Sequence, residues 1–176
     1  MRKLIVIAVC LAASPVIART TATDLPSPSA CAGPEFRQLD FWLGDWDAKW
    51  GASQGTPAGV GTNHITKSYE ECVIEERFDG RPGQHLMGHS VSTYFAPTKQ
   101  WKQTWVDNEG GYIDLTGGPD GQGNFVLMTV PRPGGHLRRM VFTNIKPNSF
   151  TWKWQATNDG KTWTDSWVIS YTRKRA

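Results

Sequence analysis

Turn-forming residues recur every eight to twelve positions from Gly44 onward, and this cadence limits what the chain can fold into more than any other feature. Asp79-Gly80-Arg81-Pro82-Gly83, Pro97-Thr98-Lys99, Asn108-Glu109-Gly110-Gly111, Pro119-Asp120-Gly121, Pro131-Arg132-Pro133-Gly134-Gly135, Lys146-Pro147-Asn148 and Asn158-Asp159-Gly160 each supply positive or preset φ. Ten strand segments lie between and around them, at 45–51, 61–69, 72–78, 86–95, 101–107, 112–116, 124–130, 137–144, 149–157 and 162–172. Short turns make consecutive strands antiparallel neighbours. A meander of that length protects its edges most simply by closing on itself, so the expected fold is an all-β, up-and-down antiparallel barrel of about ten strands.

Nine tryptophans in 176 residues say what would fill it. Side chains on a strand repeat every two residues, so Trp46, Ala48 and Trp50 share one face and send two indoles into one core. Ahead of them, Phe36, Leu39 and Leu43 follow a Gly33-Pro34 start at helical spacing, which predicts a short N-terminal helix across one end of the barrel.

Gly44-x-Trp46 on the first strand resembles the opening motif of the lipocalin and calycin barrels. The longer run Phe41 to Trp50, with Cys31 before it and with Trp101 to Asn108 and Asn158 to Trp163 after it, is similar to the DUF1579 group of uncharacterised secreted bacterial proteins. That resemblance spans Cys31 to Arg173 and implies a calycin-like fold without implying a reaction. In lipocalin-like barrels an arginine near the C-terminus packs over the first-strand tryptophan. Carried over, this gives Gly44, Trp46 and Arg173 structural roles, with a cation–π contact between the last two.

The chain begins Met1-Arg2-Lys3, continues with an apolar run from Leu4 to Ala13, and reaches Ser14-Pro15-Val16-Ile17-Ala18, the layout of a secretory signal peptide over 1–18 cleaved near Ala18. The apolar run is about half of the roughly 20 residues a spanning helix needs. Cys10 follows aliphatic residues as a lipidated cysteine would, but Val9 is too bulky for the preceding position. Residues 19–30, rich in Thr, Ser, Pro and Ala, are expected to form a flexible lead-in to a single domain over 31–176. The expected location is therefore secreted or periplasmic. Loss of Arg2 and Lys3 leaves 17 basic against 16 acidic side chains, so nothing in the net charge calls for nucleic acid or an anionic membrane as partner. Cys10 leaves with the signal. In an oxidising compartment the remaining pair, Cys31 and Cys72, is expected to form a disulfide; a reactive thiol or metal ligand would lack a basic neighbourhood or ligand spacing.

Chemistry-bearing residues are sparse. His64, His85, His89 and His136 show neither His-x-His nor His-Glu-x-x-His spacing, so no metal is expected. No cofactor is expected either, although nitrobindins, a related ten-stranded group, hold haem through one histidine, which makes His136 or His89 the residues to test for that alternative. Ser90 and Ser92 lack a Gly-x-Ser-x-Gly elbow, and Asp120-Gly121-Gln122-Gly123 is acidic, unlike a phosphate cradle.

Strand parity identifies the remaining candidates. Trp101, Gln103, Trp105 and Asp107 share a face, which suits either a pocket with apolar walls and a few polar groups or a packed core. On the third strand Glu76 and Glu75 lie on opposite faces, so whichever face points inward carries one carboxylate. Inside, Glu76 would need a partner such as Arg139, a ligand cation, or a raised pKa. The expected function is binding of a small apolar or aromatic molecule in the lumen by Trp50, Glu76, Tyr94, Gln103, Trp105, Arg139 and Trp152. The alternatives are a cofactor-free isomerase or cyclase using one buried acid, a haem-binding barrel, and a structural module whose lumen its own tryptophans fill.

Overall fold

The computed structural model describes residues 30–53, 57–131 and 136–175; the expected signal peptide and all but the end of the lead-in lie outside them. Ten antiparallel strands form one closed barrel. They are β1 (Gly44–Trp50), β2 (Gly59–Ser68), β3 (Val73–Asp79), β4 (Met87–Phe95), β5 (Gln100–Asp107), β6 (Tyr112–Pro119), β7 (Phe125–Thr129), β8 (Leu137–Lys146), β9 (Ser149–Thr157) and β10 (Thr164–Arg173). Each strand pairs with its sequence neighbours, and β1 also pairs with β10 in a register that sets Trp46 opposite Arg173. The up-and-down meander therefore has no free edge. This architecture is consistent with a calycin-like fold.

The helix ahead of β1 is two short 3-10 turns, Pro34–Arg37 and Asp40–Trp42, rather than an α-helix. Phe36, Leu39 and Trp42 are its buried residues, three positions apart, which is the repeat that aligns side chains on a 3-10 helix. Leu43, expected on that face, is only half-buried because the chain has already turned toward β1. The segment plugs one end of the barrel. Phe41 meets Phe125, Phe142 and Phe150, and Trp42 meets Phe142 edge to face at 5.1 Å. A disulfide joins Cys31 to Cys72 at the β2–β3 turn, and Lys67 reaches Asp40 at 2.6 Å. On the chain-entropy model a bridge between residues 41 apart restricts the unfolded chain by about 4 kcal/mol.

Gly44 has φ +115°, and a Cβ there would collide with the guanidinium of Arg173. That guanidinium lies 4.1 Å from the centroid of the Trp46 ring and donates to the Leu43 carbonyl at 2.7 Å. Gly44 thus leaves the space in which the last strand is clamped to the first. No helix among the described residues is long and apolar enough to cross a membrane.

Candidate functional site

Interior residues change character along the barrel axis. At the plugged end the lumen is solid: Trp42, Trp46, Trp101, Phe125, Phe142 and Phe150 interlock, edge to face except for the tilted Phe142–Phe150 pair. Tyr94 belongs to this end, held between Phe36 at 5.3 Å and Trp101 at 6.2 Å. At the opposite end the lumen holds a cavity of about 230 Å³, open to solvent. Its walls are Phe78, Leu86, Trp105, Ile113, Leu115, Met140, Trp152, Trp154, Trp167 and Ile169, and its polar groups are Glu76, Gln103, Asp107, Glu109 and Tyr171.

Alternation explains the walls. Trp152 and Trp154, two residues apart on β9, face inward with their rings nearly parallel and centroids 6.2 Å apart. Trp167 on β10 stands edge to face against Trp152 at 5.7 Å, Phe78 at 5.9 Å and Trp50 at 5.4 Å. Trp50 is inward and buried but stands behind Trp167 rather than on the cavity surface; its ring packs on the backbone of Gly59 and Gly83, where a Cβ would come within 2.7 and 2.8 Å of it.

Glu76 is the buried carboxylate of the lumen. Ile74, Glu76 and Phe78 are the buried residues of β3, while half-buried Glu75 and exposed Arg77 form a 3.9 Å pair on the other face. Asn63 Nδ2 on β2 and Ser90 Oγ on β4 each donate to Glu76 at 2.7 Å. Burial, which disfavours the charged form, outweighs those two bonds and raises its pKa from 4.5 to about 7. The Tyr171 hydroxyl, 3.4 Å from Asn63 Nδ2, is pushed well above the ordinary tyrosine value by burial and by the nearby Glu76 charge. Gln103 donates through Nε2 to Ser92 Oγ at 2.9 Å, and its Oε1 is buried without a partner.

Asp107 sits at the mouth. Burial would raise its pKa, but donation from the Trp105 indole at 2.8 Å and from the backbone N–H groups of Gly111 and Glu109 lowers it on balance. The Asp107 carboxylate therefore aims the Trp105 ring as much as it faces the cavity.

Of the seven residues expected to contact a ligand, the cavity brings together Glu76, Gln103, Trp105 and Trp152. Arg139 is a correction. It pairs across the ladder with Gln155, opposite in parity to Trp154, so it stands on the outer face, where its Nε donates to Gln155 Oε1 at 2.6 Å and its guanidinium covers Trp163 at 4.1 Å. It cannot neutralise Glu76. Phe78, Trp154 and Trp167 are additions that continued parity along β3, β9 and β10 would have found. Neither histidine considered for haem lines this cavity: His89 pairs with outward-facing Arg77, and exposed His136 borders an adjoining depression, with Tyr112 and Arg138, that shares Ile113 and Trp154 with the cavity. Among the described residues no cluster of three or more His, Cys, Asp or Glu side chains is placed to hold a metal. No protein-family model and no curated protein matches the chain.

Proposed function

We propose that the protein is an exported small-molecule-binding barrel of the DUF1579 kind, released by cleavage near Ala18, that holds a compact, mostly apolar molecule in the open half of its lumen. The observation that carries this reading is the 230 Å³ cavity walled by aromatic rings and floored by a few fixed polar groups, the usual composition of a ligand pocket. An apolar cavity of about 150 Å³ admits benzene, so this one suits a single substituted ring. The open half counts against a wholly self-filled lumen, because a cavity of about 230 Å³ remains beside Glu76.

A pKa of about 7 on a carboxyl that borders the cavity favours a second reading, in which Glu76 shuttles a proton on a bound substrate without a cofactor. Binding is the common requirement of both. Native mass spectrometry of the full protein taken from its own envelope tests it: a bound small molecule that leaves on denaturation is expected, and its loss in Ile113→Phe, which narrows the cavity, places it there. Chemical change of that molecule on incubation would favour the catalytic reading. An empty barrel that also takes up no single-ring compound on incubation contradicts both.

A further inference from the structure

We propose that the cavity selects a small organic cation, an amine carried on an aromatic or similarly flat apolar body, over neutral and anionic molecules of the same shape. The inference rests on the binding reading above and adds charge selection to it. Three independent features of the cavity converge on it.

The first is the sign of the lining. Glu76, Asp107 and Glu109 line the cavity, and no lysine, arginine or histidine does so among the described residues. The chain as a whole is close to neutral once its first residues are removed, so this is local placement. Two basic side chains near this end of β8 and β9 stand outside, Lys153 paired with Asp165 at 2.8 Å and Arg139 over Trp163, while Arg138 borders the adjoining depression with His136 rather than this cavity.

The second is the ring set. Trp105, Trp152, Trp154, Trp167, Phe78 and Tyr171 surround the cavity. The faces of such rings are electrostatically negative, and several around one site attract a desolvated cation.

The third is an open acceptor. Gln103 Oε1 has no partner, although Gln103 is only 3% exposed and borders the cavity. Asn63 and Ser90 already donate to Glu76, and one of the two Gln103 amide N–H groups is used on Ser92. The donors left are the indole N–H of Trp167, whose ring stands among edge-to-face contacts with Trp50, Phe78 and Trp152, the Tyr171 hydroxyl, which accepts from Asn63, and the second Gln103 N–H. The floor thus offers an open acceptor, Gln103 Oε1, on the same cavity wall as the Glu76 carboxyl. An ammonium brings three donors and a positive charge; an alcohol brings one donor, and a carboxylate brings none. A cation beside Glu76 also supplies the counter-charge that no protein side chain provides, so the carboxyl would ionise on binding.

Calorimetry with three probes of nearly equal shape tests the proposal: 2-phenylethylamine, 2-phenylethanol and 3-phenylpropanoate, each titrated at pH 8 into the intact folded chain. The amine is expected to bind about tenfold tighter than the alcohol or better, and the anion more weakly than both. Glu76→Gln is expected to bring the amine-to-alcohol ratio down to about twofold, the ratio being the readout whatever the variant does to affinity for the alcohol. The probe series is read on the unmodified protein, so it decides the matter even if that variant folds poorly. Equal affinity for amine and alcohol, or tightest binding of the anion, overturns charge selection and leaves the binding reading standing. Failure of all three to bind overturns charge selection and counts against the binding reading as well.

Discussion

Ser90 Oγ lies 2.7 Å from Glu76 Oε2 at a depth where both residues are buried, so the lumen carries a carboxyl held by neutral donors and by no cation. The groups facing it are Asn63 from β2, Ser90 and Ser92 from β4, Gln103 and Asp107 from β5, and Tyr171 from β10, with Glu109 at the mouth. None is basic. Glu76 is therefore protonated more readily in the folded chain than in the unfolded one.

That difference sets a pH dependence of stability. Between 4.5 and about 7 the folded protein keeps a proton that the unfolded chain has released, so the stabilising contribution is complete below pH 4.5 and is lost as pH rises through 7. The loss is about 3 kcal/mol. Urea denaturation of the ligand-free protein is expected to show this decline between pH 5 and pH 8. Glu76→Gln is expected to abolish it and to be the more stable protein at pH 8. A wild-type chain whose stability is flat across this window would mean that Glu76 is ionised throughout.

Binding of an amine reverses the balance at Glu76 and should expel its proton. At pH 7 about half a proton is expected to leave per 2-phenylethylamine bound, read by calorimetry in buffers of different ionisation enthalpy. Release should vanish in Glu76→Gln. No buffer dependence in the wild type would show that the carboxylate does not meet the ligand.

Gly88 on β4 backs directly onto the Trp105 indole, with no room for a Cβ. Gly88→Ala should push that ring toward the cavity, and because it is a rim residue at an open end the fold should survive. Affinity for any cavity ligand is expected to fall about tenfold, with an accompanying loss of about 1 kcal/mol in stability. Unchanged affinity would show that ligand contact does not involve Trp105.

Arg173 clamps the barrel seam through the Trp46 ring and two carbonyls, donating to Leu43 at 2.7 Å and to Pro147 at 3.0 Å. Arg173→Ala is expected to cost about 2 kcal/mol in denaturant unfolding, and Arg173→Lys to recover only part of that, since a lysine lacks the fork that serves both carbonyls. The cavity lies at the other end, so ligand affinity should change little in either variant.

The strand pattern could be read from the residues because turn signals and alternation are local properties. β1, with Trp46, Ala48 and Trp50 buried and the residues between them exposed, follows the alternating rule from end to end. β8 does not: Met140, Val141 and Phe142 are all buried, so alternation there leaves the side of Arg139 undecided, and its salt-bridging chemistry suggested the wrong face. β3 was ambiguous for the opposite reason, since each face carries one glutamate and only the closed sheet selects Glu76. The difference between a lining residue and a buried one was not legible either. Trp50 and Tyr94 point inward like Trp105, but one is pinned behind Trp167 and the other under the Phe36 turn. Which end a short plug closes depends on where 3-10 turns carry Leu39 and Trp42, a long-range packing outcome that no local pattern encodes.

The central claim is that ligand enters the open half of the lumen, and indole N–H resonances report it most directly because both halves carry tryptophans. On titration with 2-phenylethylamine, the Trp105, Trp152, Trp154 and Trp167 signals are expected to shift, while those of Trp42 and Trp46 at the plugged end hold still. Shifts confined to Trp42 and Trp46, or no shift of any indole at saturating probe, would contradict it.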